Sequence, residues 1–277
     1  MKAVIFYFSG TGNTWYVSKK LAFYLNQVDI ETKFYSIETI DSRQANQLVE
    51  ENDIVLFGYP VYATYIPEPM LNFVDSLDNV VMKTAGVFCT RYLFSGDCAK
   101  LLCALLNEKG FIPKWSVHFK LPNNLNCGPF SFAPITNDPE ILHNKLRKTF
   151  GPIKHLAKCI YKDKVYLQDF NGFIKNISKV TRPNNDLNKY RVKWGGIFSI
   201  NAEKCSSCGQ CARQCPTQNI KKVNFNYSIE DNCVACQRCY NFCPNAAIMY
   251  KNKETKKEAY KGPVPNFNPL EMKRKTL

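Results

Sequence analysis

The sequence predicts an α/β domain built on a parallel sheet, followed by a small cysteine-rich domain. Short apolar segments alternate with amphipathic segments over residues 1–160, which is typical of strands and helices in a parallel sheet covered on both faces. Eight of the 13 cysteines lie close together towards the other end of the chain. The predicted organisation is an N-terminal domain over residues 1–160, a basic connector over 161–200, a cysteine module over 201–250 and a basic tail over 251–277.

Five strands are predicted from short runs of branched and aromatic apolar residues. They are predicted at residues 2–8, 31–37, 53–58, 84–90 and 115–121. The helix after the first strand has Val17, Leu21 and Leu25 on one face. Further helices are predicted at residues 67–74, 96–109 and 139–160.

Two runs of cysteines repeat the same pattern with a period of 28 residues. The first run consists of Cys205, Cys208, Cys211 and Cys215, and the second run consists of Cys233, Cys236, Cys239 and Cys243. A proline follows each run directly, and an isoleucine follows each proline four residues later. Disulfide frameworks belong to small secreted chains, so the clustered thiols of this 277-residue chain indicate metal ligands.

The C-x2-C-x2-C-x3-C-P spacing is typical of proteins with two 4Fe–4S clusters, in which the fourth cysteine of each run ligates the other cluster. Gly209 permits the tight backbone that the first run needs. The predicted ligands are Cys205, Cys208, Cys211 and Cys243 for one cluster, and Cys233, Cys236, Cys239 and Cys215 for the other. The alternatives are inert core cysteines and structural zinc, which usually takes two CxxC pairs set further apart.

The first predicted strand leads into a glycine-rich turn, which consists of Ser9, Gly10, Thr11, Gly12, Asn13 and Thr14. The glycines let the backbone approach a ligand, and the N-terminus of the following helix favours an anion. The turn lacks the Gly-Lys-Ser/Thr of a nucleoside triphosphate loop and the G-x-G-x-x-G of a dinucleotide site. A neutral turn of this kind suits a phosphate monoester, and an ordinary loop is the alternative.

The glycine-rich turn resembles the FMN-phosphate loop of flavodoxins, which implies a doubly wound, five-stranded parallel sheet in the order 2-1-3-4-5. Flavodoxins hold the flavin ring with two further loops at the strand ends, which correspond here to residues 58–67 and 90–96. Both loops are aromatic, as stacking on a flat ring requires, but such residues also pack in cores. The resemblance implies further FMN contacts from Pro60, Val61, Tyr62, Tyr92 and Gly96.

The cysteine module resembles bacterial two-cluster ferredoxins, which have a small α+β fold, and the whole chain is similar to flavodoxin–ferredoxin fusion proteins of anaerobes (EFR-type ferredoxins). This resemblance implies an electron carrier that passes electrons between two 4Fe–4S clusters and FMN, and on to a redox partner protein. An alternative is an FMN-dependent reductase of a small molecule, with Tyr65, Tyr92 or His118 as proton donor and residues 123–136 as a lid. A redox sensor is a third possibility.

The formal net charge of +14 lies entirely in the second half of the chain, because residues 1–150 hold equal numbers of acidic and basic side chains. Nucleic-acid binding is disfavoured, since cluster thiolates add negative charge and the basic segments flank the cysteine module. An acidic redox partner is expected instead. With no signal-peptide pattern and no apolar run of about 20 residues, the sequence predicts a cytoplasmic protein without a membrane span.

Five cysteines lie outside the two runs: Cys89, Cys98, Cys103, Cys127 and Cys159. They are predicted to be buried thiols of the N-terminal domain and the helix that follows it. Among them, Cys98 and Cys127 are placed near the flavin face.

Overall fold

The N-terminal domain is built on one sheet of six parallel strands. The strands are β1 Lys2–Tyr7, β2 Glu31–Ser36, β3 Ile54–Pro60, β4 Lys83–Arg91, β5 Phe111–Lys120 and β6 Tyr166–Leu167. Their order, 2-1-3-4-5-6, confirms the predicted flavodoxin-like order. The short strand β6 is an addition, and it comes from the segment predicted to be a connector.

The computed structural model describes residues 1–62, 64–125, 127, 134–168, 196–224, 226–254 and 258–273. Most of the predicted connector (169–195) therefore lies outside the described residues. The same holds for residues 126 and 128–133 of the predicted lid.

Helices cover both faces of the sheet. They are α1 Asn13–Asn26, α2 Ser42–Glu51, α3 Glu68–Asp75, α4 Cys98–Glu108, α5 Pro139–Arg147 and α6 Phe150–Tyr161. Helix α2 lies where the pattern predicts no element, and it begins where the Asp41 carboxylate accepts a hydrogen bond from the Gln44 N–H (2.8 Å). The single helix predicted over 139–160 is divided into α5 and α6, because Pro152 lacks an N–H and cannot continue a helix from α5. In the described part of the chain, no helix is long and apolar enough to cross a membrane.

The core lies on both faces of the sheet. On one face, Ile5 of β1 belongs to a buried cluster with Leu21 of α1 and Ile153 of α6. On the other face, the ring of Phe6 lies 5.0 Å from that of Phe73 in α3. Strands buried on both faces are apolar throughout, which is why the sequence pattern predicts them well.

Strand β5 begins at Phe111, earlier than the predicted start at Trp115. Its register against β4 shifts at Lys114, which forms a bulge with no partner in the strand pairing. Pro113 and Lys114 interrupt the apolar pattern, so the sequence hides the first part of this strand.

The cysteine module has the small α+β architecture that was predicted. Its elements are β7 Phe198–Ile200, α7 Gln210–Gln214, β8 Ile220–Val223, β9 Asn226–Ile229, α8 Arg238–Asn241 and β10 Ile248–Tyr250. Strand β7 pairs antiparallel with β10, and β8 pairs antiparallel with β9. The module therefore includes β7, which lies within the range predicted to be a connector.

Residues 258–273, assigned to a tail by composition, form a packed C-terminal segment. Tyr260, Phe267 and Met272 are buried in the same cluster as α1 and α6. The Tyr7 hydroxyl donates a hydrogen bond to the Met272 carbonyl (2.8 Å). The polar composition of this segment hides three apolar side chains that complete the core of the N-terminal domain.

Candidate functional site

Two cavities in the cysteine module are each lined by four cysteines. The outer cysteine site, about 360 Å³ with its open mouth, is lined by Cys205, Cys208, Cys211 and Cys243. The inner cysteine site, about 380 Å³, is lined by Cys215, Cys233, Cys236 and Cys239. Each cavity gathers the four cysteines of one predicted ligand set, three from one run and one from the other. Their role as cluster ligands stays a prediction.

The repeat explains how the two sites form. Helices α7 and α8 each begin inside a cysteine run, directly after a residue in the left-handed conformation, Gly209 (φ 71°) or Gln237 (φ 57°). After the fourth cysteine of each run, the backbone turns so that an N–H points at its sulfur: Asn219 to Cys215 and Ala247 to Cys243, both 3.2 Å. Such N–H···S contacts stabilise a thiolate.

Burial favours the protonated form of four of the eight thiols in these sites. It raises the pKa of Cys236 to about 12, although the nearby Arg238 guanidinium acts in the opposite direction. It also raises the pKa of Cys211, Cys233 and Cys239. Loading of these sites with a thiolate-bound group must therefore release protons. Among the residues that the structure describes, no three Cys, His, Asp or Glu side chains converge closely enough to hold a single metal ion.

A third cavity, the strand-end cleft, lies where β1, β3, β4 and β5 end, and encloses about 440 Å³ with its open mouth. Nine of the eleven residues predicted to contact FMN line it: Ser9, Gly10, Thr11, Asn13, Thr14, Pro60, Val61, Tyr62 and Tyr92. Gly12 does not line the cleft. Its φ is 102°, and a Cβ atom at this position would collide with Pro263 and Phe267. Gly96 lies in the loop before α4 and does not line the cleft.

Six further residues line the strand-end cleft: two belong to the predicted flavin loop 90–96, two belong to the predicted lid 123–136, and two lie in no predicted site segment. They are Thr90, Arg91, Leu121, Pro122, Asn124 and Leu125. All of them follow or end β4 and β5. The rule that ligands bind at the carboxyl ends of parallel strands would have pointed to them.

The glycine-rich turn is held by hydroxyl and amide groups. Thr14 and Thr90 share a hydrogen bond between their hydroxyls (2.8 Å), and the Asn124 amide donates to the Thr11 hydroxyl. An added Cβ at Gly10 would collide with the Tyr62 hydroxyl and lie 2.7 Å from the Cys236 carbonyl oxygen. Glycine at this position therefore allows the turn to contact both the loop of residues 58–67 and the second cysteine run.

These features fit FMN. The turn precedes a 14-residue helix, so its N-terminal end favours a phosphate. Tyr62 and Tyr92 provide aromatic rings beside the cleft, as stacking on a flavin requires.

Most of the other residues singled out from the sequence lie outside the cleft. Of the three proton donors considered for a reductase, Tyr92 lines the cleft, whereas the Nδ1 atom of His118 lies 3.1 Å from the Cys89 sulfur. The backbone of Tyr65 pairs with that of Tyr62. Cys127 packs against the cysteine module and not in the N-terminal domain.

The residue that sequence reasoning missed is Arg238, which is fully buried. Its guanidinium donates to the carbonyls of Ser9 (2.6 Å), Gly10 (3.0 Å) and Gln214 (2.6 Å), and to both carboxylate oxygens of Glu38 (2.7 and 2.9 Å). Burial lowers its pKa, but Glu38 raises it more, so it stays charged. The sequence offers one signal for Arg238. The equivalent position of the first run is Gln210, so the two otherwise similar runs differ in charge at this position.

One segment of the chain matches a protein-family model. Residues 204–256 match the family model described as a 4Fe-4S dicluster domain, which implies two clusters. No curated protein matches the chain.

Solved structures similar to this chain include several flavodoxins. One is a flavodoxin from the domain Archaea, with 16% identity and a TM-score of 0.42 over 59% of this chain and 99% of that one. Another is flavodoxin 2 from Bacillus cereus, with 18% identity and a TM-score of 0.43 over the same shares. A third is a short-chain flavodoxin associated with a bacterial microcompartment, with 16% identity and a TM-score of 0.42, again over 59% and 99%.

Proposed function

We propose that the chain is an electron-transfer protein that carries one 4Fe–4S cluster in each cysteine site and FMN in the strand-end cleft. The observation that carries the proposal is the meeting of the second cysteine run and the glycine-rich turn. Gly10 lies against the Cys236 carbonyl, and Arg238 between Cys236 and Cys239 donates to the turn. A cluster site and a flavin phosphate site are therefore neighbours.

Each side chain has a simple task in this proposal. The eight cysteines hold iron, the glycine-rich turn holds the phosphate, and Tyr62 and Tyr92 lie beside the flavin ring. When bound, the clusters supply one-electron transfer and FMN supplies one- or two-electron chemistry.

The outer cysteine site suits contact with a partner. Cys208 is exposed, and exposed Lys222 pairs with Tyr227, which lines the outer cavity. Lysines beside an exposed redox site favour encounter with an acidic protein. We therefore expect the partner to exchange electrons at the outer site, and mutation of Lys221 and Lys222 to glutamate to slow that exchange.

An anaerobic reductive titration tests the proposed function. The protein is expected to take up about four electrons per chain, one for each cluster and two for FMN. Cluster and flavin absorption bands are followed separately. Uptake of about two electrons, with no change in a flavin band, would indicate a protein with two clusters and no flavin, and would contradict the role of FMN.

A second candidate, an FMN-dependent reductase of a small molecule, is favoured by one observation: the strand-end cleft is open, and Tyr92 stands beside it. Multiple turnovers with small acceptors, lost in Tyr92→Phe with FMN content unchanged, would favour the reductase. The carrier proposal expects no such turnover.

A further inference from the structure

We propose that Arg238 is a positioning residue for the flavin phosphate, through which the second cysteine run shapes the glycine-rich turn. The inference rests on the proposed FMN site and goes beyond it, because Arg238 belongs to the cysteine module and does not line the cleft. It predicts that this arginine controls how tightly the N-terminal domain binds a phosphorylated flavin.

The contacts of Arg238 join three parts of the molecule. It lies between two cysteines of the inner site, and its guanidinium donates to the carbonyls of Ser9 and Gly10 in the turn. It also donates to the carbonyl of Gln214, the residue before the inner-site Cys215. The position of the turn is thereby tied to both cysteine runs where they meet at the inner site.

The planar peptide bond converts these contacts into an orientation for the phosphate donors. In a trans peptide the C=O and the following N–H point in opposite directions. Because the carbonyls of Ser9 and Gly10 point at Arg238, the N–H groups of Gly10 and Thr11 point away from it. These residues line the strand-end cleft, so their N–H groups are directed to the side where the phosphate is proposed to bind.

The charge behind the turn also favours an anion. Glu38 pairs with Arg238, and the Lys273 ammonium group lies 3.4 Å from the same carboxylate. Among the protein's own side chains, two cations thus share one carboxylate behind a turn that carries no basic residue of its own. A cluster in the inner site would add negative charge on the same side. A buried positive charge such as that of Arg238 interacts with an anion more strongly than a surface charge does.

The first run provides the contrast. At the position equivalent to Arg238 it has Gln210, whose amide donates to the Phe242 carbonyl inside the cysteine module. The arginine of the first run, Arg213, is exposed and donates to the Cys208 carbonyl (2.9 Å). Arg213 is therefore a matched control: an arginine beside a cysteine site that does not touch the turn.

The test compares FMN with riboflavin, which lacks the phosphate. Dissociation constants are measured anaerobically by flavin fluorescence for the wild-type chain, Arg238→Gln and Arg213→Gln, with iron content determined in each. We expect Arg238→Gln to weaken FMN binding about tenfold or more and to leave riboflavin binding unchanged. We expect Arg213→Gln to change neither.

Arg238→Gln leaves the buried Glu38 with Lys273, 3.4 Å away, as its remaining partner, and the loss of the close ion pair can prevent folding. The double variant Glu38→Gln/Arg238→Gln removes both charges and is expected to fold with the same selective loss of FMN binding. Arg238→Lys, which keeps the charge but not the fork of donors, should restore only part of the affinity.

The outcomes separate the two proposals. Wild-type protein that binds neither flavin contradicts the proposed function, and the inference falls with it. Wild-type protein that binds FMN, with a double variant that binds FMN equally well, overturns the inference alone. Equal weakening of FMN binding and riboflavin binding also overturns the inference. Such a result would mean that the substitution disturbs the whole flavin site and has no specific effect on phosphate binding.

Discussion

The two cysteine sites share one sequence pattern but have different surroundings. The outer site opens towards solvent at Cys208, whereas the inner site lies against the N-terminal domain, where the Cys236 carbonyl approaches Gly10. The cysteine spacing is identical in the two runs, so it cannot cause this difference. The residues between the cysteines do: Gln210 bonds within its own module, and Arg238 bonds to the glycine-rich turn. A repeat can thus supply two similar sites, and differences between its cysteines can set one of them against another domain.

The largest expected effect separates the two sites by their crossed cysteines. Cys215→Ser should abolish the cluster of the inner site and leave that of the outer site, and Cys243→Ser should do the reverse. EPR of the reduced variants, with iron analysis, measures which cluster remains. Equal loss of both signals in either variant would contradict the crossed arrangement.

The next effect compares the ion pairs beside the two sites. Glu38→Ala should lower the free energy of unfolding by about 3–5 kcal/mol, because it leaves the buried Arg238 charge unpaired. Its control is Glu254→Ala, which removes the exposed partner of Lys204 and should leave stability unchanged. Anaerobic urea denaturation measures both. Equal effects would mean that the buried pair is not what joins the two domains.

Two glycines provide a matched pair of smaller effect. Gly10→Ala places a methyl group against Tyr62 and Cys236, and should weaken FMN binding about tenfold by displacing the turn. Gly209→Ala has φ 71° and meets the Tyr227 hydroxyl at 2.6 Å, so it should disturb only the outer site. Flavin affinity and cluster EPR are measured on both. Loss of FMN in Gly209→Ala would show that the outer site also shapes the cleft.

The smallest effect removes one hydroxyl from the turn. Thr11→Val keeps the shape of the side chain but loses the hydrogen bond with Asn124. It should cost about 0.5–1.5 kcal/mol of FMN binding and leave both clusters intact. Unchanged flavin affinity would mean that the phosphate lies elsewhere.

Much of the fold could be predicted because its signals are local. Strands β1 and β3 are almost continuous apolar runs, and the cysteine runs have a spacing that few other sites share. Strands β6 and β7 escaped prediction because they have two and three residues and lie in a segment without periodicity.

The rest depends on tertiary contacts that no local pattern encodes. Tyr260, Phe267 and Met272 are spaced irregularly, so their burial against the N-terminal domain is visible only in the structure. No local pattern predicts the burial of Arg238, whose charge is paired with Glu38, distant in sequence. Nine of the eleven predicted flavin contacts came together because they lie at the ends of neighbouring parallel strands.

The most direct test of the central claim is the composition of anaerobically purified protein. Iron, acid-labile sulfide and flavin are quantified per chain. About eight irons, about eight sulfides and about one FMN are predicted, one cluster for each cysteine site and one flavin for the strand-end cleft. About eight irons without flavin, and none taken up from added FMN, would contradict the claim that the glycine-rich turn and the inner cysteine site serve one electron-transfer unit.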